Sequence, residues 1–157
     1  MNISKRISAD NIFLDIDLRD KESVFKFVSD AFVNLGLAQD PDHIYDGFKT
    51  REEMMSTGIG EGLAIPHTVS SQLSDAAFCI LRLKKSIEFD SLDGKPVDII
   101  LSLVVPENQI DLHLSFLARI SGLCRASGLL DMIRKAATAD EIITEMIKAE
   151  QKLDFSD

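Results

Sequence analysis

This chain has no long hydrophobic run, few cysteines and no concentration of basic residues. Its longest apolar stretch still contains Asp98 and Ser102, so nothing reads as a bilayer-spanning helix, which needs about 20 apolar residues. The opening Met1-Asn-Ile-Ser-Lys-Arg has no apolar segment behind its two basic residues, and no secretory signal is expected. Cys79 lies in an apolar strand-like run and Cys124 near the end of an amphipathic helix. Both are expected as small buried hydrophobes, with no structural disulfide and a cytoplasmic compartment. The net charge of −9 repels nucleic acid and anionic lipid, because neutralising phosphates takes clustered Lys and Arg. Arg82, Lys84 and Lys85 come nearest to a basic cluster and read as a solvated strand end. Repeats, low-complexity tracts and Pro/Gly/Ser linkers are missing too, so residues 1–157 are expected to form one domain around one core.

What is present is periodic. Ile12, Leu14, Ile16 and Leu18 alternate as in a strand. Asp20 is placed to cap a helix whose face carries Val24, Phe27, Val28, Ala31, Phe32 and Leu35, with Gly36 as its stop. Asp40-Pro41 opens a second helix that runs to about Met54 and leaves Arg51 in its last turn. A short strand is predicted over 63–66 and a longer, apolar one over 76–83, and Val97 to Val105 reads as a strand buried on both faces. Helices return over 110–124 and 129–136, and a last one opens on the capping box of Thr138 and Glu141. The expected fold is α/β: a central mixed sheet of about five strands with helices on both faces.

The segment Gly58-Ile-Gly60-Glu-Gly62 is not a nucleotide loop. A phosphate-cradling loop follows a strand and opens a helix, whereas here a helix precedes the glycines and a strand follows. That strand ends at Pro66-His67, one of only three histidines. Proline lacks an N–H, so the chain is expected to leave the sheet ladder here, with Thr68, Ser70 and Ser71 in a polar loop and the imidazole facing a cleft. A neutral imidazole is a competent nucleophile toward phosphorus. His113 falls in the first turns of the helix after the long buried strand, where the dipole disfavours imidazolium and favours an anion. His43, beside Pro41 and Asp42, reads as an exposed residue. A zinc hydrolase built on His67 and His113 lacks a third ligand and any His-Glu-x-x-His spacing, and no metal or cofactor is expected.

From Arg51-Glu52 through Ser56-Thr-Gly-Ile-Gly60 to Ala64-Ile-Pro-His67, the chain resembles the phosphorylation-site signature of enzyme IIA domains of the bacterial phosphoenolpyruvate-dependent sugar phosphotransferase system. The type is fructose/mannitol, which includes a nitrogen-regulatory branch. Phe89-Asp-Ser-Leu-Asp-Gly-Lys-Pro-Val-Asp98 and His113-Leu-Ser-Phe-Leu-Ala118 extend the resemblance over nearly the whole chain. It implies the mannitol-type enzyme IIA fold and a phosphotransferase role, with His67 taking a phosphoryl group on Nε2 from phospho-HPr. His113 and Arg51 would hold the phosphoryl oxygens, helped by backbone N–H groups around Gly58 to Gly60 or at the start of the His113 helix. The acceptor implied is an enzyme IIB component, with a membrane permease, enzyme IIC, served indirectly. Phe89 to Gly94, with the run Ile80-Leu-Arg-Leu-Lys84, looks fructose-like and points to sugar uptake; the alternative is control of other proteins by phosphorylation state. Met55 replaces a glycine usual in the family, and Thr68 replaces a smaller residue, with a methyl and hydroxyl expected to border the pocket.

Overall fold

The computed structural model describes residues 2–126 and 128–155. After two short 3-10 turns, Ser4–Arg6 and Ala9–Asn11, come β1 (Ile12–Ile16), α1 (Lys21–Asn34) and α2 (Pro41–Met54). Three short strands follow, β2 (Gly58–Gly60), β3 (Leu63–Ala64) and β4 (His67–Ser70). Two long ones are next, β5 (Ala77–Ile87) and β6 (Val97–Pro106), before α3 (Ile110–Ala126), α4 (Leu129–Lys135) and α5 (Ala139–Phe155).

Local chemistry accounts for the helix ends. Asp20 accepts from Ser23 N while Ser23 Oγ takes the Asp20 N–H, a reciprocal cap on α1. Asp40 accepts from Asp42 N, and Pro41 sits where its missing N–H costs nothing. At α5 the expected box forms one residue out of step: Thr138 Oγ1 accepts from Glu141 N, but the Glu141 carboxylate reaches the N–H of Ala137.

The sheet has six strands, one more than the alternation suggested. Its order is β1-β5-β6-β3-β2, with β4 also paired to β6; β5 and β6 are antiparallel, and β1, β3 and β4 pair in parallel. Residues of β5 and β6 alternate between two cores. Phe78, Ile80, Ile99, Leu101, Leu103 and Val105 pack toward α3, α4 and α5. Cys79, Leu81, Ile100 and Val104 pack toward α1 and α2. Helices therefore cover both faces, as the two-sided apolar run of β6 requires.

Both cysteines are buried and free, and burial pushes their thiols up to about 12 and about 11. Arg82 is not a solvated strand end: it pairs with Asp15 at 3.0 Å and donates to the carbonyls of Ile133 and Ala136. It ties β5 to the end of α4, while β5 runs on to Ile87. Glu150, also buried, accepts from the N–H groups of Ile3 and Ser4 at 2.8 and 2.7 Å and from Arg119 Nε at 2.9 Å. Burial opposes its ionisation, but these donors outweigh it and hold the carboxyl below its ordinary value. The first 3-10 turn is thereby fastened to α5. Among the described residues no helix is long and apolar enough to cross a membrane.

Candidate functional site

The strand carrying His67 does not leave the sheet at Pro66. β3 pairs Leu63 with Ile99 and Ala64 with Ile100; β4 resumes with His67 opposite Leu103 in the same register. Proline withholds one ladder donor, but its carbonyl still accepts Leu103 N–H at 3.0 Å, so pairing recovers at once. The residues expected as a polar loop, Thr68 and Ser70, are buried strand residues. Outside β3 lies β2, and Gly58-Ile-Gly60, between the helix and the strand read from the sequence, forms it. The turn is Glu61-Gly62, both at positive φ (57° and 82°), as a two-residue hairpin demands. Arg134 Nη2 donates to Glu61 O and Asp93 Oδ2 accepts Glu61 N–H, which hold the non-glycine residue there.

β2 faces only β3, which leaves β4 at the sheet edge, where the two helical layers meet. His67 shares its face with Leu103, on the α3 side, and lies beside His113 with ring centroids 5.0 Å apart at 69°. Arg51 comes from the other layer, in the last turn of α2, and its Nε donates to His67 Nε2 at 3.2 Å. Its Nη1 donates to the Met55 carbonyl at 2.9 Å, so the residue that replaces a glycine anchors Arg51 through its backbone. Two residues from different helical layers, Arg51 and His113, thus converge on the His67 imidazole. His43 stays apart, exposed at the start of α2.

Hydrogen bonds define the state of His67. Its Nδ1 lies 2.8 Å from the Ile65 carbonyl, and a carbonyl only accepts, so Nδ1 carries the proton. Nε2 then holds the lone pair, which agrees with its accepting from Arg51. His67 is only 9% exposed, against the expectation of an imidazole facing a cleft. Burial lowers its pKa first; the Ile65 bond opposes this, Arg51 and His113 lower it further, and Glu52 raises it, leaving it below the ordinary value. His113 is lowered as well, by burial and then by Arg51. Its Nε2 is buried and has no hydrogen-bond partner among the described residues. The site thus holds a guanidinium beside two imidazoles whose neutral forms are favoured, one of them with its Nε2 lone pair available as a nucleophile.

Thr68 does not border this space. It turns to the opposite face, and a Cβ built on Gly47 of α2 would meet its Oγ1 at 2.5 Å. Gly58 N–H is engaged by Ser56 Oγ at 3.1 Å and the rest of its strand hairpins with β3; of the two backbone sources expected, the start of α3 is the one beside His113. Sequence reasoning missed the Ile65 carbonyl. A backbone carbonyl two residues before the histidine has no residue type that marks it, so no signal in Ile-Pro-His singled it out. Among the described residues no three His, Cys, Asp or Glu side chains are grouped as metal ligands would be.

Residues 5–149 match the family described as phosphoenolpyruvate-dependent sugar phosphotransferase system, EIIA 2. The chain is 29% identical over 143 residues to the fructose-specific EIIABC component of the PTS of Bacillus subtilis, covering 91% of this chain and 22% of that protein's length. With the nitrogen regulatory protein of Pseudomonas aeruginosa it is 36% identical over 103 residues, 66% of this chain and 67% of that one. Among solved structures, nitrogen regulatory protein IIA-Ntr from Neisseria meningitidis superposes with a TM-score of 0.86 at 26% identity, over 92% of this chain and 98% of the other.

Proposed function

Because the chain belongs to the phosphoenolpyruvate-dependent sugar phosphotransferase system EIIA 2 family, we propose that it is a cytoplasmic phosphocarrier acting through His67. It takes a phosphoryl group from phospho-HPr and passes it to an enzyme IIB component. The observation that carries this reading is the hydrogen bond from His67 Nδ1 to the Ile65 carbonyl, which leaves the Nε2 lone pair beside Arg51 and His113.

The lone pair of Nε2 attacks phosphorus in line. An N–P bond forms there as the donor's N–P bond breaks, and the donor nitrogen keeps the bonding pair. Arg51 caps that lone pair at rest, so its Nε–H moves from Nε2 to an equatorial phosphoryl oxygen as attack begins, with Nη1 still on the Met55 carbonyl. His113 donates from Nε2 to a second oxygen, and the N-terminal dipole of α3 favours the same charge. The proton stays on Nδ1, so the phosphorylated ring bears positive charge and remains a good leaving group. A cysteine thiolate on enzyme IIB then forms the S–P bond, and Nε2 recovers its pair. Exposed Met54, Met55, Ile110 and Leu114, in the turns that carry Arg51 and His113, offer apolar ground for both partners.

For the destination we propose a fructose/mannitol-class enzyme IIB, supported by the match with a fructose-specific EIIABC component along nearly all of this chain. A second reading, regulation of other proteins by phosphorylation state, is favoured by the higher identity with a nitrogen regulatory protein and the superposition on IIA-Ntr. Labelled phospho-HPr tests the common step: the wild type takes label, and folded His67→Ala takes none. Undiminished labelling of that variant overturns the reading. Onward transfer to sugar-specific enzyme IIB proteins decides the destination, since failure with all of them leaves regulation.

A further inference from the structure

The carboxylate of Glu52 stands next in sequence to Arg51, yet it does not face the histidines. Its side chain is 6% exposed, deeper than a surface glutamate at the end of a helix needs to be. It reaches forward past the end of α2 and accepts from Thr57 N at 3.0 and 3.1 Å and from Thr57 Oγ1 at 2.6 Å. Lys21 Nζ, at the first position of α1, completes its shell at 2.9 Å and also pairs with Asp90 at 3.0 Å. Partial burial disfavours the Lys21 charge, but the bonds to Glu52 and Asp90 outweigh it and raise its pKa.

Thr57 links this shell to the site. Its carbonyl accepts Ile65 N–H at 2.9 Å, and the Ile65 carbonyl accepts His67 Nδ1 at 2.8 Å. The segment is fixed from one end by a buried carboxylate and hands that order to the acceptor that sets the His67 tautomer. From the other end Glu52 pins the last turn of α2, which also carries Arg51 to Nε2 and is followed by Met55, whose carbonyl holds Arg51 Nη1. Both nitrogens of the imidazole thus take their partners from segments that Glu52 ties together.

We infer that Glu52, held by Lys21, is a positioning residue for phosphoryl transfer: it fixes the Thr57–Ile65 backbone that orients Nδ1 and the α2 turn that presents Arg51. This rests on the proposed role of His67. Glu52 touches neither the reacting nitrogen nor the phosphoryl group. Its negative charge also favours a positively charged His67 ring, the form that carries the phosphoryl group.

The test is Glu52→Gln, which keeps shape and an acceptor oxygen but removes the charge that draws Lys21, with Thr57→Val as the milder second variant. Two readouts are taken on folded protein: the tautomer of His67 by nitrogen-15 NMR without phosphate, and the steady-state kinetics of acceptance from phospho-HPr. In Glu52→Gln we expect the single Nδ1–H tautomer to give way to averaged ring nitrogens. We expect kcat to fall by about tenfold or more, as a small misplacement at a reacting centre does, with KM for the donor within about twofold. Thr57→Val shows the same pattern to a smaller degree. If Glu52→Gln proves too unstable for kinetics, Thr57→Val decides alone. Wild-type kcat with an unchanged tautomer in the deciding variant overturns the inference. Should wild type itself refuse phosphate, the role of His67 falls, while the tautomer comparison still decides whether Glu52 orients the ring.

Discussion

Burial and the Arg51 guanidinium both favour neutral imidazoles in the resting site, and that sets its pH behaviour. A histidine whose folded pKa lies below the ordinary value of about 6.5 binds protons more readily when unfolded. Its contribution to stability is therefore full above that value and is lost as pH falls from about 6.5 toward the folded pKa. A phosphoryl dianion reverses the balance for His113, whose buried Nε2 then gains an anionic partner. We expect NMR titration to place both imidazoles below the free-histidine value before phosphorylation, and to move His113 upward afterwards. A His113 titration that phosphorylation leaves unchanged would remove it from the phosphoryl group's surroundings. The residue scale is also where the sequence was least legible. His67 and His113 stood out from their own surroundings, but their grouping with Arg51 came from resemblance to a signature, since nothing in their spacing brings the three together. The Ile65 carbonyl stayed hidden because a backbone acceptor has no residue type to read.

At the scale of elements, α2 lies close enough on β4 that position 47 tolerates only glycine beside Thr68. Replacing a helix-interior glycine with alanine gains up to about 1 kcal/mol in helix propensity. A Cβ at 2.5 Å from Thr68 Oγ1 forces α2 outward, and overpacking costs about 1–3 kcal/mol, so the clash wins. Gly47→Ala is expected to destabilise, and Thr68→Ala in the same chain to turn that alanine into a gain. Urea unfolding of the two single variants and the double variant measures the coupling; additive effects would contradict the contact. Elements with strong local signals were legible. Asp20 and Asp40-Pro41 marked helix starts to within a residue, and the apolar run of β6 announced its burial on two faces. β2 and β4 were not legible. Gly-Ile-Gly offers almost no side-chain period, and His-Thr-Val-Ser reads as polar although its pairing with β6 buries three of the four.

For the whole molecule, two helical layers of different make-up meet at one sheet edge, and the site occupies that seam. The α1–α2 layer brings Arg51 and the Glu52 anchor; the α3 layer brings His113; the broken strand between them brings His67. An excess of nine negative charges surrounds a spot where one guanidinium and two imidazoles converge. In the proposed transfer, local positive potential, and not the overall charge, is what would admit a phosphoryl group. The layered α/β arrangement was legible because capped helices flank a cluster of apolar strands. The sixth strand and the unbroken register through Pro66 required the ladder itself. The central claim is that His67 carries the phosphoryl group on Nε2. Its most direct test is phosphorus–nitrogen coupling in nitrogen-15-labelled protein after incubation with phospho-HPr. The account predicts a coupling from phosphorus to His67 Nε2, with Nδ1 still protonated; coupling to Nδ1, or a phosphoryl group on His113, would contradict it.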